Sequence, residues 1–438
     1  MARKMKDSGI EWIGEIPEGW ETIKLLFALD RPITDGPHET PSYTEEGVPF
    51  ITINNIDDNG NIDKEKANKI SKIDAINYNK KAKMKIGDLL FSKSATIGRV
   101  SEVDKVDFMV WSPFAIISTK DNFLYNKYLK FILSLPGYID HLIGLGSVNT
   151  QINIGMRDME KSIIPLPNLK KQILISSYLD KKTKQIENIK NTINEEIENL
   201  ENYKKSVITE AITKGLDKNV EMKDSGIEWI GEIPKDWKVT KLKVGLSEKM
   251  KYGANEQGVE FSEELPRYIR ITDIADNNTL KDQGKFSLTE EKSIGYILHD
   301  NTVLFARSGA TVGKTFYYKA NYGRAAFAGY LISATTNDKI LLGKWLYYFT
   351  LTHSYDNWIS QIYSQSTIQN ISAEKYSNMK LPISNVENQK KIVMYLDNKC
   401  RRIDDSISIK QKQLETLEEY KKSLIYEYVT GKKEVELG

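Results

Sequence analysis

The sequence predicts an α+β protein with two globular, β-rich mixed domains. Two long antiparallel coiled-coil helices are expected to separate them, in a pseudo-two-fold tandem repeat. Three observations lead to this prediction. One 16-residue segment occurs twice, each copy is followed by short β-branched and aromatic runs between turn residues, and each copy ends in a long heptad pattern.

The repeat is the feature that divides the chain. Met5–Trp20 recurs as Met222–Trp237 with 14 of 16 positions identical, and the same offset of 217 residues separates Glu201 from Glu418 near the ends of the copies. This period is too long for a solenoid, so each copy should be a domain-sized unit with its own core. The predicted parts are residues 1–168 and 217–384 (domains), 169–216 and 385–433 (helical spacers) and 434–438 (tail).

Composition limits the function only loosely. The 438 residues are 40% hydrophobic and 28% charged, as is usual for a soluble globular protein, and a net charge of +2 makes DNA binding dependent on local basic surface. The single Cys400 excludes an intramolecular disulfide, and four separated histidines give no basis for a metal site. Without a signal peptide or an 18-residue apolar stretch, the protein is expected to be cytoplasmic.

The globular parts contain matching strand-like runs. In sequence order they begin at Val48, Asp88, Phe114, Arg267, Thr302 and Gly329. Segments 125–138 and 342–358 have helical spacing with aromatics on one face. The two parts are therefore predicted to share one fold with different sequences.

The heptads predict the long helices. Leu179, Ile186, Ile193, Leu200 and Val207 recur every seven residues, with Ile189 and Tyr203 predicted in a second seam. Gly215 ends this pattern. The second copy has Leu396, Ile403, Leu417 and Leu424 in the same phase. Lys410 interrupts this heptad pattern, and Gly431 ends it. A 45-residue helix would be about 67 Å long.

The order of motifs in both copies resembles the specificity subunit of type I restriction-modification enzymes, over nearly the whole chain. The motifs are the opening segment SGIEWIGEIPxxW, the strands at 50–56 and 268–274, the turns at 90–98 and 304–313, the segments 149–154 and 366–371, and the helices opened by Gln172 and Gln389. Their duplicated order makes the resemblance specific.

The resemblance implies a non-catalytic protein in which each domain, a target-recognition domain, reads one half of a bipartite sequence in double-stranded DNA. It implies that the helices set the spacer and dock two methyltransferase subunits, to which restriction and translocase subunits attach. No cofactor is expected on this chain, whereas S-adenosylmethionine, ATP and Mg²⁺ are implied for the partners. Because the two domains differ outside shared motifs, the DNA site should be asymmetric.

Motifs for catalysis and metal binding are incomplete. Gly309–Thr315 is one residue short of the phosphate-binding loop GxxxxGK[ST] and is interpreted as a strand-turn-strand element. Asn55–Gly60 has the acidic spacing of a calcium loop, but Lys66 stands where a bidentate Glu is needed, so a hairpin turn is expected. The chain is therefore predicted to have no catalytic or metal-binding residues.

Polar loops supply the candidate DNA contacts, because Arg, Lys, Asn, Gln, Ser and Thr can read base edges or bind phosphate. The candidates are Thr34, His38, Thr40, Lys93, Ser94, Thr96, Ser147, Asn149 and Gln151 in the first copy, and Lys251, Tyr252, Asn255, Arg307, Ser308, Thr311, Gln365, Ser366 and Gln369 in the second. Lys93 and Arg307 match, which favours a shared phosphate contact. Each candidate could instead be a turn residue that satisfies backbone groups.

Aromatic residues repeated in both copies are candidates for a partner interface: Trp12, Trp20, Trp229, Trp237, Tyr178, Tyr203, Tyr395 and Tyr420. They are the same in both copies although the half-sites should differ, so scaffold packing or partner contact is favoured over base stacking.

Two alternatives to a restriction complex stay open. The chain could be an orphan or methylation-only recognition subunit, or a coiled-coil scaffold with two domains that bind proteins or glycans. Sharply salt-dependent binding to duplex DNA would favour recognition of DNA over the scaffold, since neutralised phosphates release counterions.

Overall fold

A computed structural model describes residues 3–146, 153–275, 277–364 and 370–435. The chain divides into two compact units: the first is Met1–Ile193 with Lys412–Gly438, and the second is Asn194–Gln411. Each unit therefore combines one globular part with segments of both long helices. The predicted domain boundaries follow the sequence repeat and stay predictions.

The first sequence copy contains these strands: β1 (Met5–Asp7), β2 (Glu15–Pro17), β3 (Glu21–Lys24), β4 (Thr34–Asp35), β5 (Tyr43–Thr44), β6 (Val48–Ile51), β7 (Lys69–Ile70), β8 (Leu89–Ser92), β9 (Val100–Glu102), β10 (Met109–Val110), β11 (Phe114–Ile117) and β12 (Ile163–Leu166). Its helices are α1 (Lys72–Lys81), α2 (Asn126–Leu133), α3 (Pro136–Leu145), α4 (Met156–Lys161) and α5 (Leu169–Lys214).

The second copy repeats this order. Its strands are β13 (Met222–Asp224), β14 (Glu232–Pro234), β15 (Lys238–Lys241), β16 (Lys251–Tyr252), β17 (Val259–Glu260), β18 (Arg267–Ile269), β19 (Phe286–Ser287), β20 (Thr302–Ala306), β21 (Thr315–Tyr318), β22 (Ala325–Phe327), β23 (Leu331–Thr335) and β24 (Lys380–Ile383). Its helices are α6 (Glu290–Ser293), α7 (Gly343–Phe349), α8 (His353–Ser364), α9 (Ala373–Ser377) and α10 (Val386–Val429).

The sheet topology of the two globular parts is the same. The central sheet has the order β4-β11-β8-β9 in the first part and β16-β23-β20-β21 in the second. A second four-stranded sheet has the order β10-β6-β7-β5 and, correspondingly, β22-β18-β19-β17. The prediction of a duplicated α+β fold carrying different sequences is confirmed.

The central sheet lies between two cores, which explains its continuous apolar runs. Leu89 and Phe91 of β8 face the core that contains Trp20 and the helices, whereas Leu90 faces the core around Phe50. Alternate side chains of a strand point to opposite faces, so a strand covered on both sides is apolar at every position. The same alternation occurs in β20.

The segments predicted to have helical spacing before the long helices are helical, and each is divided into two helices. In the first copy Pro136 begins α3 after α2 ends at Leu133, because proline lacks the amide proton that a continuing helix needs. In the second copy α7 ends at Phe349, and Thr352 Oγ1 accepts a hydrogen bond from Tyr355 N at 3.2 Å as α8 begins.

The long helices occur as predicted. Gly215 and Gly431 follow α5 and α10 with φ of +79° and +74°, a left-handed conformation that glycine adopts without a steric penalty. The buried heptad positions are Leu179, Ile186, Ile193, Val207, Leu396, Ile403 and Leu424. No helix in the described ranges combines the length and apolar character needed to cross a lipid bilayer.

The second seam differs from the prediction. Ile189 and Tyr203 are about half exposed, at 50% and 48%. Partly buried positions lie one residue later, four residues after a heptad position, and include Lys190 and Lys204. These lysines enter the seam because the opposing helix supplies carboxylates: Lys190 lies 2.9 Å from Glu418 in the first unit.

The helix segments are antiparallel within each unit. In the first unit Tyr178 contacts Tyr428 and Lys190 contacts Glu418, so residue numbers run in opposite directions. In the second unit Lys204 lies 2.6 Å from Asp404. Lys410, which interrupts the apolar heptads, also forms an ion pair across the two helices, 2.5 Å from Glu196.

Candidate nucleic-acid interface

Two of the predicted loop groups leave one edge of the central sheet in the first unit, and the first described residue after the third group lies beside them. β4 and β8 flank β11, so the loop after β4 and the loop after β8 leave the same edge. Just beyond β8, Ser94 forms a β-bridge with Asn153, and Ile154 N donates to Lys93 O at 2.9 Å. Asn153, the first described residue after the third predicted loop group, therefore lies beside the loop after β8.

The second unit repeats this arrangement with different side chains. Ser308 forms a β-bridge with Asn370, and Ile371 N donates to Arg307 O at 2.8 Å. β16 and β20 flank β23 as β4 and β8 flank β11. We call these two places the loop edges of the first and second units.

Glycines allow the loop after β4 or β16 to lie on the neighbouring sheet. A Cβ added at Gly36 would be 2.0 Å from the carbonyl oxygen of Val110, and one at Gly253 would be 2.4 Å from that of Phe327. Only glycine permits such a close approach of two backbones. The close approach fixes the start of this loop at the same place in both units.

Lys93 is buried at the first loop edge. Its side chain is 8% exposed, and its ammonium lies 3.3 Å from Asp35 Oδ2, on a side chain 12% exposed. His38 Nε2 approaches the same oxygen at 3.3 Å, although the His38 side chain is 75% exposed. Because Asp35 balances the ammonium, a phosphate contact by Lys93 would require this ion pair to open.

Arg307 stands at the matching position with another partner. Its guanidinium lies over the Tyr252 ring, 4.7 Å from the centroid, and donates long hydrogen bonds of 3.4 Å to Gly329 O and Asn370 Oδ1. Tyr252 is itself fixed, since its hydroxyl accepts a hydrogen bond from Ala373 N at 3.0 Å. The cation–π contact orients Arg307 without neutralising its charge.

The strand register establishes that these two pairs are equivalent. Asp35 lies opposite Ala115, the second residue of β11, and Tyr252 lies opposite Ile332, the second residue of β23. Lys93 and Arg307 each follow the last residue of the next strand. The same two backbone positions therefore hold an ion pair in one unit and a cation–π pair in the other.

The turn after β8 or β20 has a conserved geometry across the two copies. After Ser94, Ala95 has φ of +61°, and after Ser308, Gly309 has φ of +76°. Arg99 donates to Ile56 O at 2.7 Å, and Lys314 at the matching place donates to Ile274 O at 3.3 Å. The strand-turn-strand interpretation of Gly309–Thr315 is confirmed, and Lys314 supports a backbone hairpin.

The acidic hairpin of the first unit is likewise a turn. The Asp57 side chain accepts hydrogen bonds from Asn59 N at 2.9 Å and Asn61 N at 2.8 Å, and Ile56 bridges to Ile62. These bonds lower the pKa of Asp57 despite an opposing effect of its partial burial. The hairpin interpretation of this segment is confirmed.

The remaining DNA-contact candidates differ in exposure. Thr34, Ser94 and Ser308 are partly buried, whereas Thr40, Thr96, Lys251, Asn255 and Thr311 are exposed. Six candidates lie outside the described residues: Ser147, Asn149, Gln151, Gln365, Ser366 and Gln369. Direct contact of any candidate with DNA stays a prediction.

Tyr330 is a candidate that the sequence reasoning missed. It lies between β22 and β23 with its side chain 64% exposed, and its carbonyl oxygen accepts a hydrogen bond from Arg307 N at 3.0 Å. The sequence signal was an aromatic residue directly after Gly329. It was missed because the run beginning at Gly329 was interpreted as a continuous strand.

The repeated tryptophans pack inside the units. Trp12, Trp20 and Trp237 are buried, and Trp229 is partly buried. The Trp12 ring lies 5.3 Å from that of Tyr138 and the Trp237 ring 5.4 Å from that of Trp345, both edge to face. Packing thus accounts for these side chains, and a contact with a partner stays a prediction.

The repeated tyrosines are more accessible. Tyr178 packs on Tyr428 with ring centroids 4.6 Å apart, whereas Tyr203, Tyr395 and Tyr420 are 41–52% exposed. Their docking role stays a prediction. In the described part of the chain, no group of three or more His, Cys, Asp or Glu side chains is placed to hold a metal ion.

The fold and its loop edges define a class: a duplicated α+β protein with one polar loop edge in each unit and an antiparallel helix pair. Residues 17–199 and 234–419 match the family described as type I restriction modification DNA specificity domain, one match in each copy. The chain belongs to this family of type I restriction-modification specificity subunits.

Relatives and a solved structure support this placement. A Methanocaldococcus jannaschii protein assigned as the MjaX specificity subunit is 26% identical over 438 residues, 96% of this chain and 95% of the relative. The MjaVIII specificity subunit of the same organism is 26% identical over 296 residues, 64% of each chain. A chain solved in a study of complex assembly of the type I system has a TM-score of 0.67 at 15% identity, covering 94% of this chain and 98% of its own length, which is a likeness of fold.

Proposed function

We propose that this chain is the non-catalytic DNA specificity subunit of a type I restriction-modification complex. Each unit would read one half of an asymmetric bipartite sequence through its loop edge. The main support for this proposal is that polar loops with base-reading side-chain types lie at equivalent edges of both units. Matching backbone hydrogen bonds to the carbonyl oxygens of Lys93 and Arg307 occur at these edges.

The asymmetry of the site follows from what the two edges present. The first edge carries the buried Lys93–Asp35 ion pair with the exposed His38, and the second carries Arg307 stacked on Tyr252. The polar side chains of the loops around these pairs also differ between the two edges, so the edges offer different donors and acceptors to a base edge. The two half-sites should therefore differ in sequence.

The helices would set the spacer and dock two methyltransferase subunits, with restriction and translocase subunits added to that complex in the cytoplasm. Supporting this, the helices expose aromatic and aliphatic side chains, among them Ile189, Tyr203, Tyr395 and Tyr420. Exposed apolar residues on a charged helix surface suit a protein interface. S-adenosylmethionine, ATP and Mg²⁺ would be bound by the partners, and this chain would need no cofactor.

The deciding experiment is base-modification sequencing of the host genome with and without the gene. Loss of one asymmetric bipartite methylated motif would support the proposal and give both half-sites and the spacer. In a deletion strain complemented with Arg307→Ala, the same motif should be methylated less completely, because loss of a phosphate contact lowers affinity without changing the sequence that is read.

Binding to duplex DNA by the purified chain then separates the alternatives. An unchanged methylome with sharply salt-dependent DNA binding would indicate an orphan subunit. Salt-insensitive binding, or none, would favour the scaffold and contradict the proposal, because phosphate contacts release counterions. Modification of DNA by the isolated chain would contradict the non-catalytic role.

A further inference from the structure

A strongly basic surface lies on the first unit, outside its loop edge. Residues 64–85 contain eight lysines and two acidic residues, a net charge of +6. Five of these lysines are exposed and have no ion pair within the described residues: Lys69, Lys72, Lys80, Lys81 and Lys83. Because they lie on and around α1, we call them the α1 lysine surface.

The second unit lacks this charge at the equivalent place. β7 and β19 are equivalent strands, and the segment that follows β19 forms the four-residue α6 where the first unit has the ten-residue α1. Residues 281–299 contain three lysines and three acidic residues, a net charge of 0. The basic surface is therefore not required by the shared fold.

Contacts join α1 to the loop after β4. Gly36 of that loop lies against Val110 of β10, and β10 belongs to the same sheet as β7, the strand that leads into α1. Burial, together with the nearby carboxylate of Glu39 in the loop, also raises the pKa of Tyr78 on α1. The α1 lysine surface thus adjoins the predicted DNA-reading edge of the first unit.

Two acidic groups near α1 have other partners and form no ion pair with the five exposed lysines. Asp74 accepts a hydrogen bond from the Ser71 hydroxyl at 2.8 Å, and Asp63 pairs with Lys66 at 2.9 Å. Clustered lysines without carboxylate partners have the charge distribution of a surface that binds phosphates.

We propose that the α1 lysine surface binds the phosphate backbone of duplex DNA and anchors the first unit outside the bases that it reads. This inference rests on the proposed DNA-specificity function. The lysines contribute affinity and salt dependence but no sequence preference, because phosphates carry no sequence information. The second unit binds its half-site without an equivalent anchor.

The test compares two charge-matched variants of the full chain. One is Lys72→Gln/Lys80→Gln/Lys81→Gln on α1. The control is Lys281→Gln/Lys285→Gln/Lys292→Gln, which removes the same charge from the equivalent segment of the second unit. Circular dichroism melting confirms that both fold, and Kd for duplex DNA is measured between about 50 and 200 mM salt.

The α1 variant should reduce the slope of log K against log salt by about 2 to 3, close to 0.9 for each lost phosphate contact, and the control by less than 1. The preference for the methylated motif over random DNA should stay the same. Equal slopes for the two variants would overturn the inference and leave the proposed function standing. A wild-type chain without salt-dependent binding would instead contradict the proposed function itself.

A second pair of variants addresses the exposed apolar residues of the same helix. Ile73 and Ile76 are 72% and 63% exposed, and exposed apolar side chains are a feature of protein interfaces. Ile73→Ser/Ile76→Ser should keep the DNA affinity within about twofold of wild type. If it abolished assembly with the methyltransferase subunits while the lysine variant kept its salt slope, the surface would bind protein and the inference would be wrong.

Discussion

The guanidinium of Arg307 lies 4.7 Å from the centre of the Tyr252 ring, at the two positions where the first unit holds the Lys93–Asp35 ion pair. One fold therefore presents a charged, stacked guanidinium on the second unit and a compensated, buried ammonium on the first. This difference leads to distinct expectations for DNA affinity and for stability.

Arg307→Ala should weaken DNA binding by about tenfold near 0.1 M salt, since one charge-assisted contact contributes roughly 1.5 kcal/mol. If Arg307 contacts a phosphate, the loss is uniform across sequences and is measured as the ratio of Kd values for specific and random duplexes. Lys249→Ala, at an exposed lysine of the second unit that is not a predicted DNA contact, serves as the control for loss of charge. A changed preference at the second half-site would overturn the phosphate assignment and make Arg307 a base reader.

Tyr252 should act on DNA through Arg307. Tyr252→Ala removes the cation–π contact, so DNA affinity should fall about two- to fivefold, in line with about 0.5 to 1 kcal/mol for an exposed pair. Tyr252→Phe keeps the ring and loses only the hydroxyl that accepts from Ala373 N, so its affinity should stay near that of wild type. Equal Kd values for the two variants would show that the ring has no such role.

The Lys93–Asp35 pair should contribute to stability. Asp35→Asn leaves a buried ammonium without its carboxylate, and we expect a loss of about 3 kcal/mol in the free energy of unfolding in urea. Lys93→Met combined with Asp35→Leu should recover most of this loss, because it replaces both charges by apolar groups. If the double variant were less stable than either single variant, the ion pair would not be the cause.

The sequence predicted the parts of this fold that follow local periodicity. Leu179 and Ile186 are seven residues apart and buried, as predicted, and the duplicated strands pair in the same order in both copies. The second seam was wrong because Lys190 becomes partly buried only when Glu418, from the other end of the chain, lies opposite. The residues next to Lys190 in the sequence do not indicate that its charge will be balanced by Glu418.

The loop edges show the same limit. Grouping loops by side-chain chemistry identified the segments that meet, since polar residues at strand ends cluster where strands share an edge. The burial of Lys93 depends on Asp35, which β11 places beside it from a distant part of the chain. Lys93 was predicted to be available for a phosphate contact. It is instead paired with the carboxylate of Asp35, which lies far from it in the sequence.

Two buried glutamines hold the start of the long helices and should be critical for stability. Gln172 donates to Pro167 O at 2.8 Å and Phe123 O at 3.0 Å, and accepts from Tyr125 N at 2.8 Å. Gln389 makes the equivalent three bonds in the second unit. Gln172→Ala should lower the free energy of unfolding by about 3 kcal/mol, because it leaves buried backbone groups unpaired.

Matched variants make this expectation specific. Gln172→Glu keeps the shape of the side chain but loses both amide donors, so it should also be destabilising, whereas Lys170→Ala at an exposed neighbour should stay within about 0.5 kcal/mol of wild type. A Gln172→Glu variant as stable as wild type in urea unfolding would contradict a role for these donors.

Cys400, the only cysteine, lies buried in the helix pair of the second unit. Burial raises the pKa of its thiol to about 11 from an ordinary 9.0. The thiolate is the form that reacts, so a raised pKa moves alkylation to higher pH. At pH 8 the native chain should be alkylated about a hundredfold more slowly than the urea-unfolded chain, which a mass-spectrometric time course measures.

The helix seam offers a matched pair of variants for this measurement. Leu396→Ala removes a fully buried side chain one turn before Cys400, so the loosened packing should raise the alkylation rate of the native chain. Leu179→Ala makes the same change at the equivalent position of the first unit and should leave the rate at wild-type level, because Cys400 packs in the core of the second unit. Equal acceleration by both variants would mean that Cys400 becomes accessible only when the whole chain unfolds.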